Sequence, residues 1–276
     1  MRRALVLGGG GVTGVAWELG LLAGLASRGV ELAAADLVVG TSAGSVVGAQ
    51  VCSGVPVEEL YAAQLRPATG EVAARFGVGA VARLLWAGGR TRDELRSRAR
   101  IGAMALAART PSEASRRAVI EGRLPSPQWP ARRLLVTAVD AVSGEFVVFD
   151  AAGGVSLVDA VGASCAVPGV WPPVTIGDRR YVDGGVRSAV NADLAAGAEA
   201  VVVLAPVSSA FGPMPRLSAQ VAALRQHARV TVVAPDAAAR RAIGRNVLDP
   251  ARRADAARAG RAQAAAMADE VVAVWG

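Results

Sequence analysis

The sequence predicts one α/β domain over residues 1–276, with a mostly parallel central sheet covered by helices on both faces. Three observations predict it. The first 53 residues alternate short apolar runs with stretches whose apolar positions recur at helical spacing. Strand-like runs return at 133–139, 145–149, 200–205 and 229–234, again interleaved with helical patterns. The strand-like runs are continuously apolar, which is the pattern of strands buried on both faces. Composition allows the core this needs. Hydrophobic residues make up 53% of the chain and charged residues 19%, too apolar a balance for a disordered polymer.

In chain order, residues 3–7 (RALVL) read as a buried strand stopped by glycines. Residues 14–28 read as a helix, 36–39 (DLVV) as a second strand and 43–53 as a second helix. Residues 57–121 hold helical patterns at 57–65, 92–107 and 112–121 and no strand, so they read as a helical insertion beside or over one sheet edge. After the strands at 133–139 and 145–149, a helix at 156–165 leads into the proline-rich PGVWPP. A hairpin near 174–182 turns at Gly177-Asp178. A helix at 215–227 separates the last two strands. Asp249-Pro250 supplies a cap and a first-turn proline for a long Ala/Arg helix over 250–273, within the C-terminal segment 250–276. No repeat and no long linker interrupts this order.

The formal charge is +7, and every basic side chain is arginine. Codon bias in a GC-rich coding sequence accounts for that, together with the abundant Ala, Gly and Val. No aromatic residues interleave the arginines to stack on bases, which argues against nucleic-acid binding. The charge is compatible with peripheral contact to an anionic membrane. Cys52 and Cys165 form no CxxC pair and no Cys/His metal spacing, so a reducing compartment and no metal site are expected. The N-terminal MRRALVLGGGG lacks the longer apolar region and cleavage site of a signal peptide. No segment approaches the roughly 20 apolar residues of a membrane helix. A cytoplasmic or peripheral membrane protein is expected. Oligomeric state has no signature in the sequence.

Three glycine-centred motifs carry chemistry. Gly8 to Gly14 (GGGGVTG) lies between a strand and a helix, where backbone N–H groups and the helix dipole suit a phosphate or a developing oxyanion. Residues 9–14 also match the dinucleotide fingerprint GxGxxG. That fingerprint wants an acidic residue at the far end of the second strand, and Asp36 precedes the strand instead. The strand ends in Gly40-Thr41-Ser42-Ala43-Gly44, a GxSxG between strand and helix. This is the context of a nucleophile elbow, in which the flanking glycines permit a sharp turn that exposes the serine. The third motif, Asp183-Gly184-Gly185, follows the strand-like RRYV; alone, such a triplet is a common turn.

Ser42 needs a base. The only histidine, His227, sits at a polar helix end among Arg225, Gln226 and Arg229, where exposure and the helix dipole explain it. A carboxylate acting directly on the serine is the remaining route. Asp183 is the best placed, with two glycines behind it that leave room for substrate. Its ordinary pKa of about 3.9 makes it a weak base, and burial would strengthen it.

The three motifs in this order resemble the patatin-like lipid acyl hydrolases. The stretch 163–185 (ASCAVPGVWPPVTIGDRRYVDGG) adds the family's small-residue helix, proline turn and hairpin, so the likeness spans roughly residues 3–205. The resemblance implies a three-layer α/β/α sandwich that hydrolyses fatty acyl esters of phospholipids or neutral lipids without metal or organic cofactor. It implies Ser42 as nucleophile and Asp183 as base. The N–H groups of Gly9, Gly10 and Gly11 would form the oxyanion hole, with Gly14, Gly40, Gly44, Gly184 and Gly185 supporting the motifs. Thr13 departs from the pattern, because many members carry Arg or Lys there, which could support an anionic headgroup or the loop itself. A non-catalytic lipid-binding relative and a dinucleotide-binding oxidoreductase are the competing classes. The apolar stretch 76–86 is a candidate lid or interfacial segment, and also reads as an ordinary buried helix. Trp171 could line the acyl site or only pack a turn.

Overall fold

The computed structural model describes residues 1–67, 74, 88–89, 91–208 and 213–276. The stretch 76–86 therefore lies outside the described residues. The chain opens with β1 (Arg3–Leu7), α1 (Gly11–Ala26), β2 (Leu37–Gly40) and α2 (Ala43–Cys52). Helices α3 (Val57–Leu65), α4 (Glu94–Leu106) and α5 (Glu113–Glu121) follow. Then come β3 (Arg133–Asp140), β4 (Phe146–Phe149), α6 (Leu157–Ser164), β5 (Val174–Ile176) and β6 (Arg179–Asp183). The chain ends with β7 (Ala200–Leu204), α7 (Leu217–Leu224), β8 (Arg229–Val233), α8 (Ala237–Ile243) and α9 (Arg253–Trp275).

The strands form one eight-stranded sheet in the order β5-β6-β3-β2-β1-β7-β8, with β4 paired to β3 off this path. The path β3-β2-β1-β7-β8 is parallel, β4 and β6 pair antiparallel with β3, and β5 pairs antiparallel with β6. Alternate residues of the central strands point into different cores, as the strand period of two requires. Leu5, Leu7, Val202 and Leu204 pack with α1, α2 and α9, whereas Ala4, Val6, Val201 and Val203 pack with Val221 and Leu224 of α7. The result is three layers, helix on sheet on helix. α1 and α9 touch through glycines: a Cβ on Gly20 would lie 2.0 Å from the Ala257 carbonyl oxygen.

The register of β3 matters most for the site. Val136 faces Gly40 of β2 on one edge and Phe149 of β4 on the other. Ala138 faces Val147 of β4 on one edge and Asp183 of β6 on the other. So β2 and β6 share one edge of β3, end to end. The chain leaves the sheet at Gly40 at the end of β2, and again at Asp183 at the end of β6, two residues further along β3, about 7 Å at strand rise.

Two elements differ from the sequence reading. α1 begins at Gly11 rather than Gly14, because glycines lower helix propensity on paper but cost little in the first turn, where no intrahelical partner is lost. α8 went unread because AAARRAI is short, although Asp236 caps it by accepting the Ala239 N–H at 2.7 Å. Among the described residues no helix is long and apolar enough to cross a membrane.

Candidate active site

Ser42 is the N-cap of α2, with φ +52° and ψ −116°, in the left-handed half of backbone space that a β-carbon disfavours. Local packing forces it there. The Thr41 N–H donates to the Leu7 carbonyl at 3.0 Å, and the Gly44 N–H donates to the Gly8 carbonyl at 3.0 Å. The elbow is thus tied on both sides to the end of β1. Only glycine permits so close an approach: a Cβ on Gly44 would sit 2.1 Å from the Leu7 oxygen. Side chains from α6 hold the turn from below. The Ser42 N–H donates to Ser164 Oγ at 2.9 Å, and the Cys165 thiol donates to the Ser42 carbonyl at 3.3 Å. Strain of this kind costs about 1–3 kcal/mol and persists only where surrounding contacts impose it.

The hydroxyl so presented donates to Asp183 Oδ2 at 2.7 Å. The other carboxylate oxygen, Oδ1, accepts the Gly185 N–H at 2.7 Å, which fixes the rotation of the carboxylate. Asp183 is 5% exposed and Ser42 8%. Burial pushes the Asp183 acid up to about 6, against the opposing pull of the Ser42 hydroxyl, the Gly185 N–H and the Arg116 guanidinium. Gly184 lets β6 dock on β3, since a Cβ there would lie 2.2 Å from Thr137 Oγ1.

Beneath the pair lies a buried polar network that joins the motifs. Asn191, in the left-handed conformation at φ +53°, donates through Nδ2 to Thr41 Oγ1 at 3.0 Å and to the Ser188 carbonyl at 2.9 Å. Thr137, at the gap where β2 and β6 both end, donates to Thr41 Oγ1 at 3.0 Å. Gln220 of α7 closes the network by donating to Ser188 Oγ at 3.1 Å. Sequence reasoning missed Ser164, Thr137 and Asn191. Each stands alone in its segment without a motif, and only the fold brings it to the elbow.

The glycine loop lies across from Ser42, and one of its expected roles needs correction. The Gly9 N–H donates to the Ala189 carbonyl at 2.7 Å. It is spent in holding the loop and cannot also serve as an oxyanion donor. The N–H groups of Gly10 and Gly11 stand at the start of α1, where no helical residue precedes them to accept, and neither donates elsewhere among the described residues. Gly11 needs its freedom, with φ +60° and the Val247 oxygen 2.5 Å from where a Cβ would be. Thr13 is fully buried and donates through both its N–H and its hydroxyl to the Val247 carbonyl, at 3.1 and 3.2 Å. It braces the loop where a cation was the expected residue.

A pocket of about 140 Å³ joins the loop, Ser42 and Asp183. Its remaining wall is apolar, with Ile101, Val167, Pro168, Val186, Val207 and Leu248 among the lining side chains. Trp171 is buried and lies under the Arg116 guanidinium, 4.0 Å from its ring centre, rather than in this wall. His227 is exposed in the turn before β8, at the sheet's far edge and at the opposite strand ends from Ser42. It is out of reach as a base.

The model of the patatin-like phospholipase family matches residues 5–196. The chain belongs to that family, whose members are lipid acyl hydrolases. Among solved structures it is similar to VipD from Legionella pneumophila, at 14% identity and a TM-score of 0.49, covering 98% of this chain and 67% of that one. It is also similar to the type III effector protein ExoU, at 17% identity and a TM-score of 0.43, covering 98% of this chain and 53% of that one. A comparison with curated proteins found no match.

Proposed function

We propose that the protein is a serine acyl-ester hydrolase of lipids, with Ser42 as nucleophile and Asp183 as its base. The observation that carries this reading is the 2.7 Å hydrogen bond from Ser42 Oγ to Asp183 Oδ2 at the floor of an apolar pocket. Asp183 takes the hydroxyl proton as Ser42 Oγ attacks the acyl carbonyl. The oxyanion is met by the N–H groups of Gly10 and Gly11 and by the positive end of α1. Protonated Asp183 then gives its proton to the departing alcohol as the C–O bond breaks, leaving an acyl-serine. Water replaces the alcohol, loses a proton to Asp183 and attacks. Collapse returns that proton to Ser42 and releases the fatty acid.

Asp183 suits both directions of transfer. Burial raises it to about 6, so it is ionised at neutral pH yet a better base than an exposed aspartate. The apolar lining favours an acyl chain over a polar acid. With Thr13 braced against Val247, no cation stands at that place in the loop to select an anionic headgroup, so a neutral ester is served as well as a phospholipid. The test is turnover of p-nitrophenyl butyrate and palmitate by the wild type and by Ser42→Ala. Turnover in the wild type that vanishes in Ser42→Ala supports the reading, and equal turnover in both refutes it.

A further inference from the structure

Ile101 reaches the catalytic pocket from α4, and the opposite side of that helix has a composition that water alone does not explain. The inner face of α4 buries Ile101, Gly102 and Ala105. Gly102 presses on the β3–β4 turn so closely that a Cβ would lie 2.0 Å from the Ala141 oxygen. The same turn is pinned to the helix by Arg98, whose Nε donates to the Gly144 carbonyl at 2.7 Å. Helix and turn therefore present one continuous outer surface. On it Leu95 is 45% exposed, Leu106 39% and Val142 71%, three of the six exposed large hydrophobics among the described residues. Arg92, Arg100 and Arg109 are exposed on or beside the same helix. None of the three has a carboxylate partner among the described residues, whereas Arg96 is paired with Asp93 and Arg98 with Glu94.

After Glu94 no acidic residue occurs until Glu113. The composition of the chain does not force this. The equally Ala/Arg-rich α9 exposes Asp255 between its arginines and Asp269 and Glu270 beyond them. Beyond its first turn, where Asp93 and Glu94 pair with Arg96 and Arg98, the exposed side of α4 mixes Leu, Ala and Arg without carboxylates, the chemistry of a helix lying at an anionic lipid interface.

We propose that the outer face of α4, with the adjoining β3–β4 turn, docks the protein on an anionic lipid surface. Leu95, Leu106 and Val142 enter the headgroup boundary, and Arg92, Arg100 and Arg109 meet the lipid charge. Docking there sets the wall of the catalytic pocket against the membrane. The purpose of the contact rests on the lipid substrate proposed above, while the contact itself does not.

The test is flotation of the full chain with vesicles of phosphatidylcholine alone and of phosphatidylcholine with 30% phosphatidylglycerol. The wild type is expected to float with the anionic vesicles and not with the neutral ones, and to lose binding in high salt. Arg100→Glu with Arg109→Glu should weaken binding by at least about fivefold per arginine, and Leu95→Asp with Leu106→Asp should abolish it. Both variants should keep wild-type turnover of soluble p-nitrophenyl butyrate, which excludes misfolding. Equal flotation of wild type and variants overturns the proposal, as does no flotation of the wild type. A wild-type dimer that Leu95→Asp with Leu106→Asp dissociates, without vesicle binding, assigns the face to a second copy instead. If the wild type hydrolyses no ester, the proposed function fails while flotation still decides the docking face.

Discussion

Replacing Asp183 with Asn is expected to stabilise the protein while it removes the activity. In the folded state burial raises the Asp183 acid to about 6, against about 3.9 in the unfolded chain. Between those two values the folded protein holds a proton that the unfolded chain has lost. Folding stability therefore falls as pH rises from about 4 to about 6, by about 1.4 kcal/mol per pH unit, and stays reduced above 6. Summed over the two-unit difference, this costs about 3 kcal/mol at pH 7. Asparagine has the same shape and does not ionise, so Asp183→Asn recovers up to about 3 kcal/mol at pH 7 and almost nothing at pH 4. For a chain of this size that is roughly 6–12 °C in Tm. The assay is thermal unfolding of both proteins from pH 4 to pH 8. Curves that coincide at low pH and diverge through pH 6 are expected. A constant gap, or a variant less stable at pH 7, would mean that ionisation of buried Asp183 does not set the stability difference. The same ionisation governs activity: kcat/KM should fall to about a tenth between pH 7 and pH 5, because only the carboxylate accepts the Ser42 proton.

Three further outcomes follow from the packing. Gly44→Ala should lower stability by about 3 kcal/mol or more, since its Cβ would lie 2.1 Å from the Leu7 oxygen; chemical denaturation measures it, and a loss under 1 kcal/mol would contradict the close approach. Asn191→Ala should cost about 1–3 kcal/mol by leaving buried partners unsatisfied and should lower kcat more than it raises KM, because the network positions the elbow rather than substrate. Glu18 on α1 is fully buried. Burial pushes its acid well above the usual range, so stability is lost as pH rises above the unfolded value of about 4.3, and Glu18→Gln should flatten that decline in a pH series of Tm.

The parallel half of the sheet was legible because β1, β2, β7 and β8 are short apolar runs between helical patterns. The elbow was legible because Ser42 sits between such a strand and a helix. What the sequence hid is the meeting of distant pieces. Nothing local tells that β6 continues the edge of β3 that β2 vacates, yet that continuity brings Asp183 to Ser42. Asn191 and Thr137 are ordinary polar residues in their own segments, and only the crossing of β3 with the loop before β7 makes them a network. Gly9 was assigned an oxyanion role from motif position, and its N–H proves committed to Ala189, a partner 180 residues away in the chain. Backbone hydrogen bonds of that range leave no trace in residue type.

The most direct test of the central claim is site-resolved labelling with a fluorophosphonate, which phosphonylates only an activated serine. Wild type, Ser42→Ala and Asp183→Asn would be treated at pH 7.5 and the adduct located by peptide mass spectrometry. One adduct is expected, on Ser42, absent in Ser42→Ala and formed at least about a hundredfold more slowly in Asp183→Asn. An adduct on another serine, or wild-type labelling of Ser42 in Asp183→Asn, would contradict it.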